Sequence, residues 1–277
     1  MLWEEIAERS LREQVGPETI LREEVQKAVL TYFSLRRFFN EGVFQGGTSL
    51  RLFYGNIRYS EDLDFSFVIK NMDSFHEVDA RMSNMGAFVS DVFPFLGEIS
   101  LKEQKRSRTF KRFALRFSAT EQKRVLRVNI EFANVPSYDN SLLLLQYPPF
   151  NPAVRVESRR EVLADKVVAI ALRDYVKGRD LWDIHFLAED RGVAVDLDLV
   201  HRKVVDYGSD PAAFGARLAA AVAQVRTQGK MVLEQEMERF LPRYAAGLYR
   251  EAFPAIAGRV ADLLETDCLK NGPEVQL

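Results

Sequence analysis

The sequence predicts an α+β (α/β) protein in two parts, a mixed domain over residues 1–150 and a helical domain over 151–277. Three observations predict this. Apolar residues recur at helical spacing over the first 40 positions, switch to period two in several later runs, and return to helical spacing beyond 158. A stretch carrying Pro136, Pro148, Pro149 and Pro152 separates the two patterns. The length, 277 residues, suits roughly two domains of about 150 residues, or one large one.

The elements follow in order. Ile6, Leu11, Ile20, Leu21, Val25, Val29 and Leu30 recur among charges as helical stripes, and Gly16-Pro17 breaks them into two helices. Val43-Phe44-Gln45 is a short apolar stretch ending at Gly46-Gly47, and residues 48–54 read as a helical turn or two closed by Gly55-Asn56. Leu63, Phe65, Phe67 and Ile69 alternate with Asp62, Asp64, Ser66 and Val68, the signature of a strand. Residues 73–97 read as one helix, with Phe75, Val78, Met82, Met85, Val89 and Val92 near one face. From 98 to 132 the chain reads as strands: Phe113, Leu115 and Phe117 alternate, 120–122 form the turn, and Leu126, Val128, Ile130 and Phe132 alternate again. Residues 135–157 read as irregular. Ser158 with Glu161 three positions on is a capping-box pattern opening a helix. Lys177-Gly178 reads as a helix C-terminus, Asp180 as the cap of the next helix, and two or three more helices follow between 211 and 267. The tail, 271–277, reads as frayed.

Composition narrows the function. With 47% hydrophobic and 28% charged residues the chain is not disordered. Its single cysteine, Cys268, permits no internal disulfide and no paired-cysteine zinc site, and the three histidines fall in no zinc-binding spacing. No apolar run reaches the ~18–20 residues of a membrane span, and Glu4-Glu5 at the start are unlike a secretory signal, so the expectation is a cytoplasmic protein with no membrane partner. Net charge is −2, yet residues 102–127 hold ten Lys/Arg against Glu103 and Glu121, a local +8. Such a segment either guards a sheet edge or steers a polyanion. Phe110, Phe113 and Phe117 among its arginines read first as core and second as a base-stacking surface.

The chemistry gathers at Gln45-Gly46-Gly47-Thr48-Ser49 and Ser60-Glu61-Asp62-Leu63-Asp64-Phe65. On a strand Asp62 and Asp64 share one face about 6.6 Å apart, while Leu63 and Phe65 point to the core. Two such carboxylates suit a hard cation, and Mg²⁺ takes one or two carboxylates plus substrate phosphates. Asp-Leu-Asp by itself is also an ordinary polar strand end. A glycine pair with Thr48 and Ser49 at a helix start lets backbone approach and offers N–H groups to an anion, as a phosphate cradle does. It is not a Walker A loop. Asn129 and Glu131 fall on the polar face of their strand, so Glu131 is the candidate third carboxylate of a two-metal site with metals about 3.5–4 Å apart. Lys166 suits a leaving phosphate or a helix surface; Arg58 suits a phosphate or a pair with Glu61; Arg179 suits a pair with Asp180 or Asp183. His185 and His201 read as structural or surface residues.

Gly46-Gly47-Thr48-Ser49-Leu50-Arg51 with Arg58-Tyr59-Ser60-Glu61-Asp62-Leu63-Asp64-Phe65 resembles the polymerase-beta-type nucleotidyltransferases, and more narrowly the AbiEii/AbiGii toxin family. So do Leu163-Ala164-Asp165-Lys166 and Gly178-Arg179-Asp180-Leu181-Trp182-Asp183-Ile184. The resemblance spans about residues 40–190. It implies a nucleotidyltransferase fold with a mixed sheet joined to a helical domain, and a nucleoside triphosphate donor with one or two Mg²⁺. It also implies the toxin of a type IV toxin–antitoxin or phage-abortive-infection system, with a cognate antitoxin and an RNA acceptor, tRNA 3′ ends being one class. By position, Gly46, Gly47, Thr48, Ser49, Arg58 and Ser60 would lie at the nucleotide, and Asp62 and Asp64, with Glu131, at the metal. Lys166 would meet the phosphates and Asp180 or Asp183 would complete the catalytic site, in a cleft between the domains. A phosphate on the Ser60 hydroxyl would put negative charge beside Asp62 and switch such a site off. A small-molecule or protein hydroxyl as acceptor, or a catalytically silent nucleotide-binding module, are the competing expectations.

Overall fold

A computed structural model describes residues 2–68, 75–119 and 124–270. Ile69, positions 73 and 74 of the expected helix, the 120–122 turn with Lys123, and the 271–277 tail lie outside the described residues. The chain divides into two compact units, Met1–Gly55 with Tyr59–Glu157, and Asn56–Arg58 with Ser158–Leu277.

The first unit opens with two helices, α1 (Trp3–Glu13) and α2 (Pro17–Leu35). Proline fits the first turn of α2, where its missing N–H costs nothing. Strand β1 (Val43–Gln45) runs directly into α3 (Gly46–Tyr54), which starts two residues earlier than the sequence suggests. After β2 (Asp62–Ser66) come α4 (His76–Met82) and α5 (Met85–Val92), so the single helix expected over 73–97 is two. Ser83, the residue closing α4, has extended backbone, and Asn84 takes a left-handed one, φ +64°, which separates them. The strands expected over 98–132 are β3 (Ser100–Arg106), β4 (Phe110–Phe117) and β5 (Leu126–Ala133).

Residues 135–157 are not irregular. They hold β6 (Asn140–Leu144) and β7 (Ala153–Glu157), with Pro148, Pro149 and Pro152 confined to the connection. β7 pairs in parallel with β1 through Phe44 and Val156. The result is a seven-stranded mixed sheet in the order β3-β4-β5-β2-β1-β7-β6, with β2 parallel to β5. Its apolar face packs on α2, where Phe33, Phe38, Phe65 and Phe132 are buried. Phe65 stacks on Phe132 at 5.4 Å and meets Phe33 and Phe38 edge-on at 5.2 Å, geometries that add to simple burial. Phe113 and Phe117 belong to this core too, while Phe110 stays partly exposed under Lys105 and Arg112. β5 alternates fully buried positions with exposed or half-buried ones along its length, so Arg127, Asn129 and Glu131 face the opposite side.

The second unit is helical: α6 (Arg159–Leu172), α7 (Gly178–His185), α8 (Leu197–Asp206), α9 (Pro211–Phe240), α10 (Arg243–Tyr249) and α11 (Phe253–Leu263). Ser158 caps α6 by accepting the Glu161 N–H. Lys177-Gly178 begins a helix instead of ending one, and Asp180 lies inside the first turn of α7, whose cap is Lys177. No helix among the described residues is long and apolar enough to cross a membrane.

Candidate functional site

The first unit presents Asp62 and Asp64 on the polar face of β2, both half-buried, with Leu63 and Phe65 fully buried behind them. The parallel register sets Asp62 beside Asn129 and Asp64 beside Glu131, and β1 sets Gln45 opposite Asp64. Asn129 donates to Asp62 Oδ1 at 2.8 Å, and its own Oδ1 is buried with no hydrogen-bond partner. Glu131 lies across from Arg112, 2.8 Å from its Nε, an ion pair without hydrogen-bond alignment. No cluster of three or more His, Cys, Asp or Glu able to hold a metal occurs among the described residues. Asp62 and Asp64 offer two hard oxygen ligands with an unsatisfied amide oxygen beside them, which suits Mg²⁺ sharing its remaining positions with phosphates, while Glu131, the expected third carboxylate, is engaged by Arg112.

Gly46 makes this face possible. Its φ is +78°, and a β-carbon there would stand 2.5 Å from Asp64 Oδ2. The Thr48 hydroxyl is buried and donates to the Asp62 carbonyl at 2.5 Å, and the buried Ser49 hydroxyl donates to the Gly46 carbonyl at 2.8 Å. These two side chains fix the first turn of α3 against β2. What α3 offers an anion is its N-terminal backbone at Gly46-Gly47. Ser60 is half-buried, and its carbonyl accepts from Gln26 at 3.1 Å.

An ion network that the sequence did not announce holds α3 in place. Arg51, on α3, donates to Glu23 at 2.8 Å and to Glu13 at 3.2 Å while lying 4.0 Å over the Tyr59 ring. The Tyr59 hydroxyl donates to Glu13, and Arg9 bridges Glu13, Glu23 and Glu24. Burial is the largest influence on Glu23 and would raise its pKa, but Arg51, Arg9 and Lys27 together hold it down to about 2.

In the second unit Lys166, Asp180, Asp183 and Arg58 come together. Arg58 grips Asp183 with two parallel bonds, Nε to Oδ1 at 2.6 Å and Nη2 to Oδ2 at 2.5 Å. Asn56 donates to Asp183 at 3.0 Å and accepts the Trp182 indole N–H at 2.9 Å. Lys166 lies 2.8 Å from both Asp180 and Asp183, and Arg173 bonds Asp180. Arg58 thus pairs with Asp183, not Glu61, which Arg22 takes at 2.9 Å. Arg179 pairs with Glu236, not with either aspartate. Burial alone would raise the Asp183 pKa, but Arg58 and Lys166 pull it down to about 2. Burial lowers that of Lys166, with Arg58 and Arg173 adding to the shift and Asp183 opposing it. Asp183 is fully enclosed, and its geometry is that of a residue orienting Lys166 and Arg58. His185 lies apart, 4.0 Å from Asp190.

Two crystal structures resemble the chain. One is JHP933 from Helicobacter pylori, 20% identical, covering 91% of this chain and 95% of that one with a TM-score of 0.52. The other is a Helicobacter pylori protein assigned as a nucleotidyltransferase, 19% identical, covering 91% and 98% with a TM-score of 0.54. At these identities they establish the fold. No curated protein matches the chain by sequence. The profile of the AbiEii nucleotidyl transferase toxins of type IV toxin–antitoxin systems matches residues 28–259, which include both carboxylates of β2 and the Lys166–Asp183 cluster, and the chain belongs to that family of transferase enzymes.

Proposed function

We propose that this protein transfers a nucleotidyl group from a nucleoside triphosphate to a hydroxyl of an RNA acceptor, such as a tRNA 3′ end. We propose further that it does so in the cytoplasm as the toxin of a defence system that its antitoxin restrains. The observation that carries the reading is the β2 face. Asp62 and Asp64 stand side by side there, and only a glycine backbone at residue 46 fits against Asp64. A triphosphate at the start of α3 lies next to both carboxylates. The acceptor oxygen bonds to the α-phosphorus, the bond to the bridging oxygen breaks, pyrophosphate leaves, and the hydroxyl proton passes to solvent or a carboxylate. Asp62 and Asp64 would hold Mg²⁺, which would supply neutralisation of phosphate charge. Within the second unit, Lys166 is held by Asp180 and Asp183. RNA is favoured over a small acceptor because Lys102, Lys105, Arg112, Arg116 and Arg127 share the carboxylate face by register.

The test incubates the full chain with Mg²⁺, total tRNA and each labelled nucleoside triphosphate, beside Asp62→Ala and Asp64→Ala. Label is expected on RNA with the unmutated chain alone, while both variants keep its thermal midpoint within a few degrees. Transfer that survives either substitution overturns the mechanism, and label found only on a small molecule or protein overturns the acceptor.

A further inference from the structure

One pair of charges on the polar face of the sheet has no compensation among the described residues. Arg116 on β4 and Arg127 on β5 stand directly opposite each other in the antiparallel register, and both are exposed. Side chains so placed have β-carbons about 4.5–5.5 Å apart, and like charges there repel. The neighbouring cations Arg112, Lys111 and Arg106 are all neutralised. Arg112 meets Glu131, Lys111 meets Asp79 and Glu103, and Arg106 meets both of those acids. Neither Arg116 nor Arg127 has an ion pair or side-chain hydrogen bond among the described residues. The nearby Glu61 is taken by Arg22, whose Nε donates at 3.2 Å to the Arg127 carbonyl and so brings a third guanidinium to the same edge.

We infer that Arg116 and Arg127 form a phosphate-binding site that takes a phosphodiester of the RNA acceptor. The inference rests on the transfer reaction proposed above. Two exposed guanidinium groups held side by side match the oxygens of phosphate, which they bind in forks. The site is next to the carboxylates. Arg127 is two residues, about 6.6 Å, along β5 from Asn129, the residue bonded to Asp62. The sheet order then separates donor from acceptor. β1 and α3, with Gly46-Gly47, follow β2 on one side, while β5 and β4 lie on the other. Donor phosphates at α3 leave the β4–β5 side for the acceptor strand.

The experiment uses the full chain with Arg116→Gln and Arg127→Gln combined, and Lys230→Gln on α9 as a control for one exposed charge. A fluorescein-labelled single-stranded RNA is titrated by anisotropy at several KCl concentrations, and Michaelis constants are measured for tRNA and for the triphosphate. Each phosphate contact contributes about 0.7 to the slope of log affinity on log salt, so the double variant should lose about 1.4. The tRNA KM should rise roughly tenfold with the triphosphate KM unchanged, roughly 1.4 kcal/mol of acceptor binding. The thermal midpoint should hold or rise as the repulsion goes. Arg116→Lys with Arg127→Lys should restore most of the slope. An unchanged slope and tRNA KM overturn the site even where the unmutated chain labels RNA, so the function stands without it. A rise in the triphosphate KM instead assigns the pair to the donor and also overturns it. A fall of several degrees in midpoint shows a structural pair and overturns the site as well. The expected slope change in a chain that labels no RNA upholds the site and removes the transfer reading.

Discussion

At the scale of the residue, Asp183 shows what burial does to a charge. It accepts bonds from Arg58, Asn56 and Lys166 with no exposed surface. Asp183→Asn keeps its shape and removes the charge that Arg58 grips and Lys166 shares, leaving Lys166 with Asp180 alone. The cost should be about 3–5 kcal/mol, since breaking a buried pair leaves the partner's desolvation unrepaid. Urea denaturation measures it, and a loss below about 1 kcal/mol would contradict the account. The folded pKa near 2 lies below the ordinary value of 3.8. Asp183 therefore contributes stability fully above about pH 4, and that contribution is lost as pH falls through the range down to 2. The variant should show a flatter acid limb over that range. The candidate residues were legible to the degree that their signals were local. Asp62 and Asp64 follow from period two within five residues. The partner of Arg58 does not, because it lies 125 residues away and any of several acids satisfies a sequence reading. The Arg9–Glu13–Glu23–Arg51 network was hidden for the same reason, since only the packing of α1, α2 and α3 brings it together.

At the scale of the element, strands with one buried face are readable in the sequence and edge strands are not. β5 alternates strictly and reads whole, whereas β6 is exposed at Ser141, Leu142 and Leu144 and carries no period. Its neighbouring prolines then argue for a loop. Gly178 misleads in the opposite direction. Glycine commonly follows a helix end, but here it opens α7 because of packing. A β-carbon at 178 would stand 2.4 Å from the Val232 carbonyl on α9, a backbone atom that cannot swing aside. Gly178→Ala should therefore push α7 from α9 and destabilise the protein by about 1–3 kcal/mol, as overpacking does, despite the roughly 1 kcal/mol that alanine gains in a helix. Differential scanning calorimetry reads the result. A raised midpoint would show that the contact yields and that helix propensity decides the position.

At the scale of the whole molecule, the units do not follow the chain. Residues Asn56–Arg58 fall between α3 and β2 in sequence yet belong with the helices, so the second unit is assembled from two pieces. The proline-rich boundary in the sequence could not reveal this, because three residues carry no compositional signal. Their weight comes from what they touch. Arg58 supplies the bidentate partner of Asp183, and Asn56 accepts from Trp182 and donates to Asp183. A fragment of residues 158–277 keeps every helix of the second unit but loses both. Its Asp183 is left with Lys166 as the buried cation, and the Trp182 indole N–H with no acceptor. Unpaired buried groups of this kind cost on the order of 1–3 kcal/mol each, a large share of the 5–15 kcal/mol that holds a typical domain together. The fragment should therefore unfold at a clearly lower urea concentration than the same helices in the intact chain. Trp182 fluorescence reports both, with Trp3→Phe in the intact chain leaving Trp182 as the single tryptophan. Equal midpoints would mean that the helices hold the Lys166–Asp183 cluster unaided. A lower midpoint, with Asp183→Asn adding little further loss in the fragment than in the intact chain, would trace the deficit to the missing Arg58 and Asn56, because mutations that remove the same interaction do not add.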